Sequence, residues 1–216
     1  MSTRHSASDQ AWQPRLELRV LHTVRLAGFA DTEAVADRVD LPANLVGDTL
    51  RALEGQKLIE RMTFAESAGW ILTEMGKRRD AELLRAELEA SGVRPVLQAT
   101  AENFEIVNPR LIRAVTDWQL QAPTDRADTR VSVMRELTDL SKALDDLMAD
   151  LVGQLHRFSR YPRDFSAAAE KARAGDDQWV AGVGRLSCHI VWAELHEDLL
   201  SSLGRDRSVE SPQGGM

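Results

Sequence analysis

The stretch that decides the fold runs from Leu50 to Arg79: LRALEGQKLIERMTF (Leu50–Phe64), AESA (65–68) and GWILTEMGKRR (Gly69–Arg79). Leu50 and Leu53 sit one turn apart at the end of a helical pattern. Leu58 to Phe64 then alternates apolar and polar residues, as a half-buried strand does. Ala65 to Gly69 has the composition of a turn, and Trp70-Ile71-Leu72 can return as a second strand. Thr73 is placed to cap the next helix, which opens TEMGKRRDAELLRAEL. Helix, two-stranded hairpin, helix is the order this predicts.

Working outward to the N-terminal side, Leu16 to Ala27 (LELRVLHTVRLA) carries Leu18, Leu21 and Val24 at helical spacing, and Gly28 stops it. Asp31 or Thr32 caps a short helix, TEAVADRV, that turns Val35, Ala36 and Val39 inward. Asp40-Leu41-Pro42 breaks it, and Pro42 suits the first position of a third helix reaching Gln56. A short helix, a turn of about four residues and a longer helix form a helix-turn-helix, and the hairpin after it is a wing.

On these residues the segment Leu16 to Ala90 resembles the MarR-type winged-helix regulators, in which a recognition helix, a hairpin wing and an "LT…G" helix start follow one another. The resemblance implies a DNA-binding fold whose third helix enters the major groove. A winged helix can also serve as a protein-binding module.

Beyond residue 92 the pattern is helical. Asn108-Pro109 reads as the start of a helix, PRLIRAVTDWQLQ, and Ala122 to Arg130 as a loop. From Val131 to Phe158, an apolar seam of Met134, Leu137, Leu140, Leu144, Leu147, Leu151 and Leu155 recurs at steps of three and four. Ser159 to Pro162 interrupts it. A short helix, Arg163 to Ala174, and a final one, Leu186 to Leu203, follow. The fold class expected is mainly α, with a winged helix-turn-helix domain over 14–92, an all-helical domain over 93–204, and flexible tails at 1–13 and 205–216. This second half also resembles the helical C-terminal region of uncharacterised actinobacterial winged-helix proteins, through Thr116-Asp117-Trp118-Gln119, Ala174-Gly175-Asp176 with Trp179, and Val191 to Leu200. That resemblance implies a shared domain and no particular activity.

Composition narrows the function. The first residues hold no apolar signal core and no stretch reaches the length of a membrane span, so a cytoplasmic protein with no membrane partner is expected. Cys188 is the single cysteine, which excludes an internal disulfide and Cys-rich zinc sites. Arginine outnumbers lysine, a usage that suggests a GC-rich bacterial source. The net charge is −7, which disfavours phosphate contact overall. Residues 1–80 carry 11 basic and 12 acidic side chains, against 16 and 22 in the remainder, so the winged half is near neutral.

The outward positions of the third helix, Asn44, Gly47, Asp48 and Arg51, are the candidate base readers, because Asn and Arg make paired hydrogen bonds to base edges. Arg38, Lys57 and Arg61 are candidate backbone contacts. Asp48 sets a carboxylate near phosphates, and the wing tip from Ala65 to Gly69 lacks an arginine. The basic run Lys77-Arg78-Arg79 reads as a solvated helix face or a phosphate clamp. In the helical half, Asp117, Trp118, Gln119, His189, Trp192 and His196 are the candidate lining of a small-molecule effector pocket, with flat indole walls and polar points. His189 and His196 share a face, yet no metal motif accompanies them, so no metal and no cofactor is expected. Catalytic motifs are absent, and Cys188 and His189, being adjacent on a helix, point about 100° apart. The expectation is a non-enzymatic regulator that binds double-stranded DNA as a homodimer and responds to an effector. The alternative is an accessory protein whose winged helix docks on a partner protein. The leucine seam can close inside one bundle or against a second copy.

Overall fold

The computed structural model describes residues 5–64, 67–122 and 126–205, with side chains over 15–64, 67–122 and 127–205. Ala65 and Glu66 of the wing tip, and residues 1–4 and 206–216 of the expected tails, lie outside the described residues. The described residues are mainly helical with one two-stranded antiparallel sheet. It divides into two compact units, Met1–Ala90 and Ser91–Met216.

The first unit is a winged helix-turn-helix. Its elements are α1 (His5–Ala27), α2 (Thr32–Val39), α3 (Ala43–Gly55), β1 (Ile59–Phe64), β2 (Ser67–Leu72) and α4 (Glu74–Ser91). Helix α1 begins 11 residues before the expected Leu16. Asp31 is the cap of α2, accepting from the Ala34 amide at 2.7 Å. Asp40 takes a left-handed conformation to end α2, and Pro42 stands at the cap of α3, one place earlier than expected. Helix α3 ends in a Schellman arrangement: the Leu58 amide reaches the Leu53 carbonyl and the Lys57 amide that of Glu54. Lys57 holds the positive-φ position usually given to glycine.

β1 and β2 pair from Ile59↔Leu72 to Phe64↔Ser67, and Ala30 bridges Trp70 on the other edge of β2. Trp70 faces the core and donates its indole N–H to Thr32 Oγ1 at 3.3 Å. The Thr73–Gly76 turn locks the wing to α4. Thr73 Oγ1 donates to the Lys57 carbonyl (2.7 Å) and accepts from the Gly76 amide (3.0 Å). A Cβ on Gly76 would lie 1.9 Å from the Leu58 carbonyl oxygen, so only glycine fits. Helix α4 is tied to α1 by buried charge: His22 Nδ1 lies 3.1 Å from both oxygens of Asp80, which is fully buried, and Arg25 lies 3.3 Å from one of them.

The second unit contains α5 (Arg94–Leu120), α6 (Arg126–Gln154), a 3-10 turn (His156–Ser159), α7 (Arg160–Arg173), the short α8 (Gln178–Ala181) and α9 (Cys188–Ser202). Pro109 does not start a helix; it lies inside α5. Leu97, Ala101 and Phe104 before it and Leu111, Ala114 and Val115 after it are buried in phase, so packing of that face carries the helix past the missing N–H. Residues 126–130, expected as loop, form the first turns of α6, while α6 stops at Gln154, short of Phe158. Pro162 falls in the first turn of α7 rather than in a break, a position that spares it any helical hydrogen bond.

The leucine seam is spent inside this unit. Leu137, Leu140, Leu144, Leu151 and Leu155 are buried, joined by Val133 and Met148, while Met134 and Leu147 are half-buried. A buried polar network joins the turn and α7 to α9. Arg157 pairs with Asp198 and donates to Ser202 Oγ at 2.7 Å. Arg160 donates to Glu194 (2.7 Å) and to the Tyr161 hydroxyl (3.0 Å), which donates in turn to Asp198 at 2.7 Å.

Candidate nucleic-acid interface

Helix α3 buries Val46, Leu50 and Leu53 and turns the other side to solvent, because its apolar residues recur at helical spacing on one face only. Its outward residues are Ala43, Asn44, Asp48, Arg51 and Ala52, with Gly47 half-buried 3.7 Å from Thr32 Cγ2 at the place of its absent Cβ. Those five and the exposed Gly55 are short apart from Arg51, and Glu54 near the end of the helix is a second long exposed side chain. A helix with such a face can approach a groove floor closely.

Asp48 and Arg51 form an ion pair one turn apart, both largely exposed. The Asp48 carboxylate is therefore matched by a guanidinium, and the pair restricts where the Arg51 fork points. Arg38 donates to the Ala34 carbonyl of its own helix at 3.0 Å. The Arg61 guanidinium lies over the Trp70 ring, 5.9 Å from its centroid, a cation–π contact at the base of the wing. Lys57 is exposed at the end of α3. Of the basic run, Lys77 pairs with Glu74 and Arg79 with Glu17 of α1, whose hydrogen bond raises the arginine's proton affinity; Arg78 is exposed. The run thus divides between local pairing and a staple to α1.

The wing has a second character. Met62 and Phe64 project from one face of β1, and Phe29 packs against Gly69 on that face, leaving no room for a Cβ there. These three are 50%, 79% and 40% exposed.

In the helical unit the six expected effector residues are divided between α5 (Asp117, Trp118, Gln119) and α9 (His189, Trp192, His196). Trp192 is buried between Phe104 and Phe165, with ring centroids 4.9 and 5.4 Å away, and its indole N–H donates to Asn108 Oδ1 at 3.0 Å. Its polar demand is met within the fold. His196 stacks near Phe104 at 5.2 Å, with Nε2 2.6 Å from the Glu105 carboxylate. Trp118 is on α5 ten residues beyond Asn108, which is about 15 Å along the helix axis. Gln119 and His189 are exposed on their helices. Asp117 instead borders an open cleft of about 500 Å³ with Gln121, Asp128, Thr129 and Ser132, where α5 ends and α6 begins.

Cys188 is buried, which pushes its thiol up to about 12, so it remains protonated at neutral pH. Among the described residues no group of three His, Cys, Asp or Glu side chains is placed to hold a metal, and no helix is long and apolar enough to cross a membrane. Sequence reasoning missed the His22–Asp80 and Arg160–Glu194 pairs. Each joins residues more than 30 positions apart, and no local pattern marks them. Comparison with protein-family models, curated proteins and solved structures finds no match for this chain.

Proposed function

We propose that this chain is a DNA-binding transcriptional regulator, reading duplex DNA through α3 as a dimer, with the helical unit supplying assembly and response to an effector. The observation that carries the reading is the outward face of α3 in a winged helix-turn-helix: Ala43, Asn44 and Ala52 around the Arg51 guanidinium, which Asp48 orients, with Glu54 standing at the end of the helix. Arg51 is suited to guanine, whose O6 and N7 match its fork, and Asn44 to adenine. Lys57 and Arg61 flank the helix toward the backbone. The effector part of the reading rests on the polar cleft bordered by Asp117 and Gln121 rather than on Trp192, whose N–H is already bonded to Asn108.

The test is selection from a random duplex pool with the full chain at low salt, followed by a salt series on the winner. One sequence is expected to be enriched, with affinity falling steeply as salt rises. Arg51→Ala should then lose about 1–3 kcal/mol and relax preference at one base pair. No enrichment at low salt would overturn the reading. A second reading has its own observation, the exposed Phe29–Met62–Phe64 face of the wing, which fits an accessory protein that docks on a partner protein.

A further inference from the structure

We propose that the outward face of α5 is a self-association surface, packing antiparallel on the same helix of a second copy across a two-fold axis between Val107 and Asn108. The surface deepens the dimer part of the regulator reading and requires nothing of the winged unit.

The inward face of α5 is spent on its own unit, through Leu97, Phe104 and Leu111. On the opposite side Ala99, Glu102, Ile106, Pro109, Arg113 and Thr116 recur at alternating steps of three and four, and all are exposed. This is the spacing of a seam that meets another helix. One turn further on stands Leu120, which is 79% exposed, and Ile106 is 74% exposed. Two large aliphatic side chains on one helix line are thus left in water, which favours covering them.

The seam complements itself. Run antiparallel about that axis, Glu102 faces the partner's Arg113, and by symmetry Arg113 faces the partner's Glu102. Ile106 faces the partner's Pro109, and Ala99 faces the partner's Thr116. Pro95 and Leu120 meet at the two ends. Sliding the copies by one heptad step sets Glu102 against an aliphatic side chain and leaves Arg113 unmatched. A parallel, in-register pair opposes Glu102 to itself and Arg113 to itself. One orientation and one register therefore satisfy both charges, and a two-fold contact requires this kind of self-complementarity. Among the described residues Glu102 is engaged only laterally, by Gln98 at 3.0 Å, and Arg113 holds no ion pair. A helix from an unrelated partner would have no reason to match a charge pattern symmetric about the middle of α5.

Sedimentation velocity of the full chain without DNA, over a concentration series, tests this. A reversible dimer is expected. Glu102→Arg and Arg113→Glu should each raise the dissociation constant by roughly tenfold or more, because each opposes like charges across the seam. The double variant carrying both changes should return to the dimer. All these positions are exposed, and thermal melts by circular dichroism should match the unchanged chain. A monomer at every concentration overturns the proposal, as does a dimer indifferent to both single changes, or a double variant that stays monomeric. A monomer that still selects one DNA sequence would end this seam and leave the DNA reading standing; a dimer that selects none would do the reverse.

Discussion

In the winged unit the tight turns are set mainly by backbone conformation, and in the helical unit the packing of α7 on α9 is set by buried side-chain charge. Gly76 lets the Leu58 carbonyl approach α4, Thr73 bridges strand and helix, and Asp40 and Lys57 take left-handed conformations at helix ends. Asp40 and Lys57 act at the helix ends that they close, whereas Thr73 and Gly76 meet the Lys57–Leu58 backbone, 15 or more positions away. The helical unit has long helices and few tight turns. Its α7–α9 arrangement is held by Arg157 and Arg160 against Glu194 and Asp198, with Tyr161 between them, across 34 to 41 positions of sequence. Conformation specifies the turns of the winged unit, where one buried cluster, His22 and Arg25 with Asp80, ties α1 to α4, and buried charge holds α7 to α9 in the helical unit. The two should fail differently when broken.

The largest effect is expected at Gly76. Gly76→Val places a branched side chain where the Leu58 carbonyl stands, and the wing must separate from α4. A loss above about 3 kcal/mol is expected, enough to unfold the winged unit. Hydrogen–deuterium exchange should show peptides from residues 16–88 losing protection while those of the helical unit keep theirs. Equal loss in both units would mean that the division by conformation and charge is not a division of stability.

Next comes Arg160→Met, which removes the cation and leaves Glu194 buried without it. Removing one partner of a buried pair costs about 3–5 kcal/mol. Here the exchange pattern should reverse, with α7 and α9 opening first. Arg160→Met combined with Glu194→Leu should recover a large part of the loss, since replacing both members avoids the stranded charge. If the double variant is as unstable as the single one, the network contributes packing rather than charge compensation.

The smallest effect sharpens the same contrast through pH. Burial raises the Asp164 carboxyl above its ordinary range, against the pull of Arg163 and Arg160. The folded chain then binds this proton more tightly than the unfolded chain. The contribution of Asp164 is therefore most favourable at acid pH and declines as pH rises from the ordinary carboxylate range through the raised value. Asp164→Asn should match the unchanged chain at low pH and be the more stable of the two at neutral pH. Urea unfolding at a series of pH values measures this. An asparagine variant less stable at neutral pH would show that pairing with Arg163 outweighs burial.

Much of the winged unit is legible residue by residue. Asp31 as a cap, the strand alternation after Leu58 and the turn before Trp70 are local signals, and each occupies its expected place within a few residues. The helical unit misleads where local and global preferences conflict. Pro109 is a helix-start signal by itself, yet Phe104 and Leu111 are buried seven residues apart on one face and keep α5 continuous through it. Glu102 and Arg113 share one outward line only because α5 continues through Pro109. The partner of the Trp192 indole is hidden from the sequence for a related reason. Trp192 lacks a partner in its own helix, and its acceptor, Asn108, is 84 positions away.

The sequence by itself determined the helix-turn-helix, the wing and the succession of amphipathic helices, because caps, turn residues and apolar periodicity act through bonds or within one or two helical turns. Tertiary structure alone decided which faces were used. It set the α6 leucines inside the unit and the α5 seam outside, matched Asp80 to His22, and joined Arg160 to Glu194. A buried charge or an indole N–H is satisfied by whatever the folded chain brings within about 3 Å, and sequence separation has no bearing on that distance.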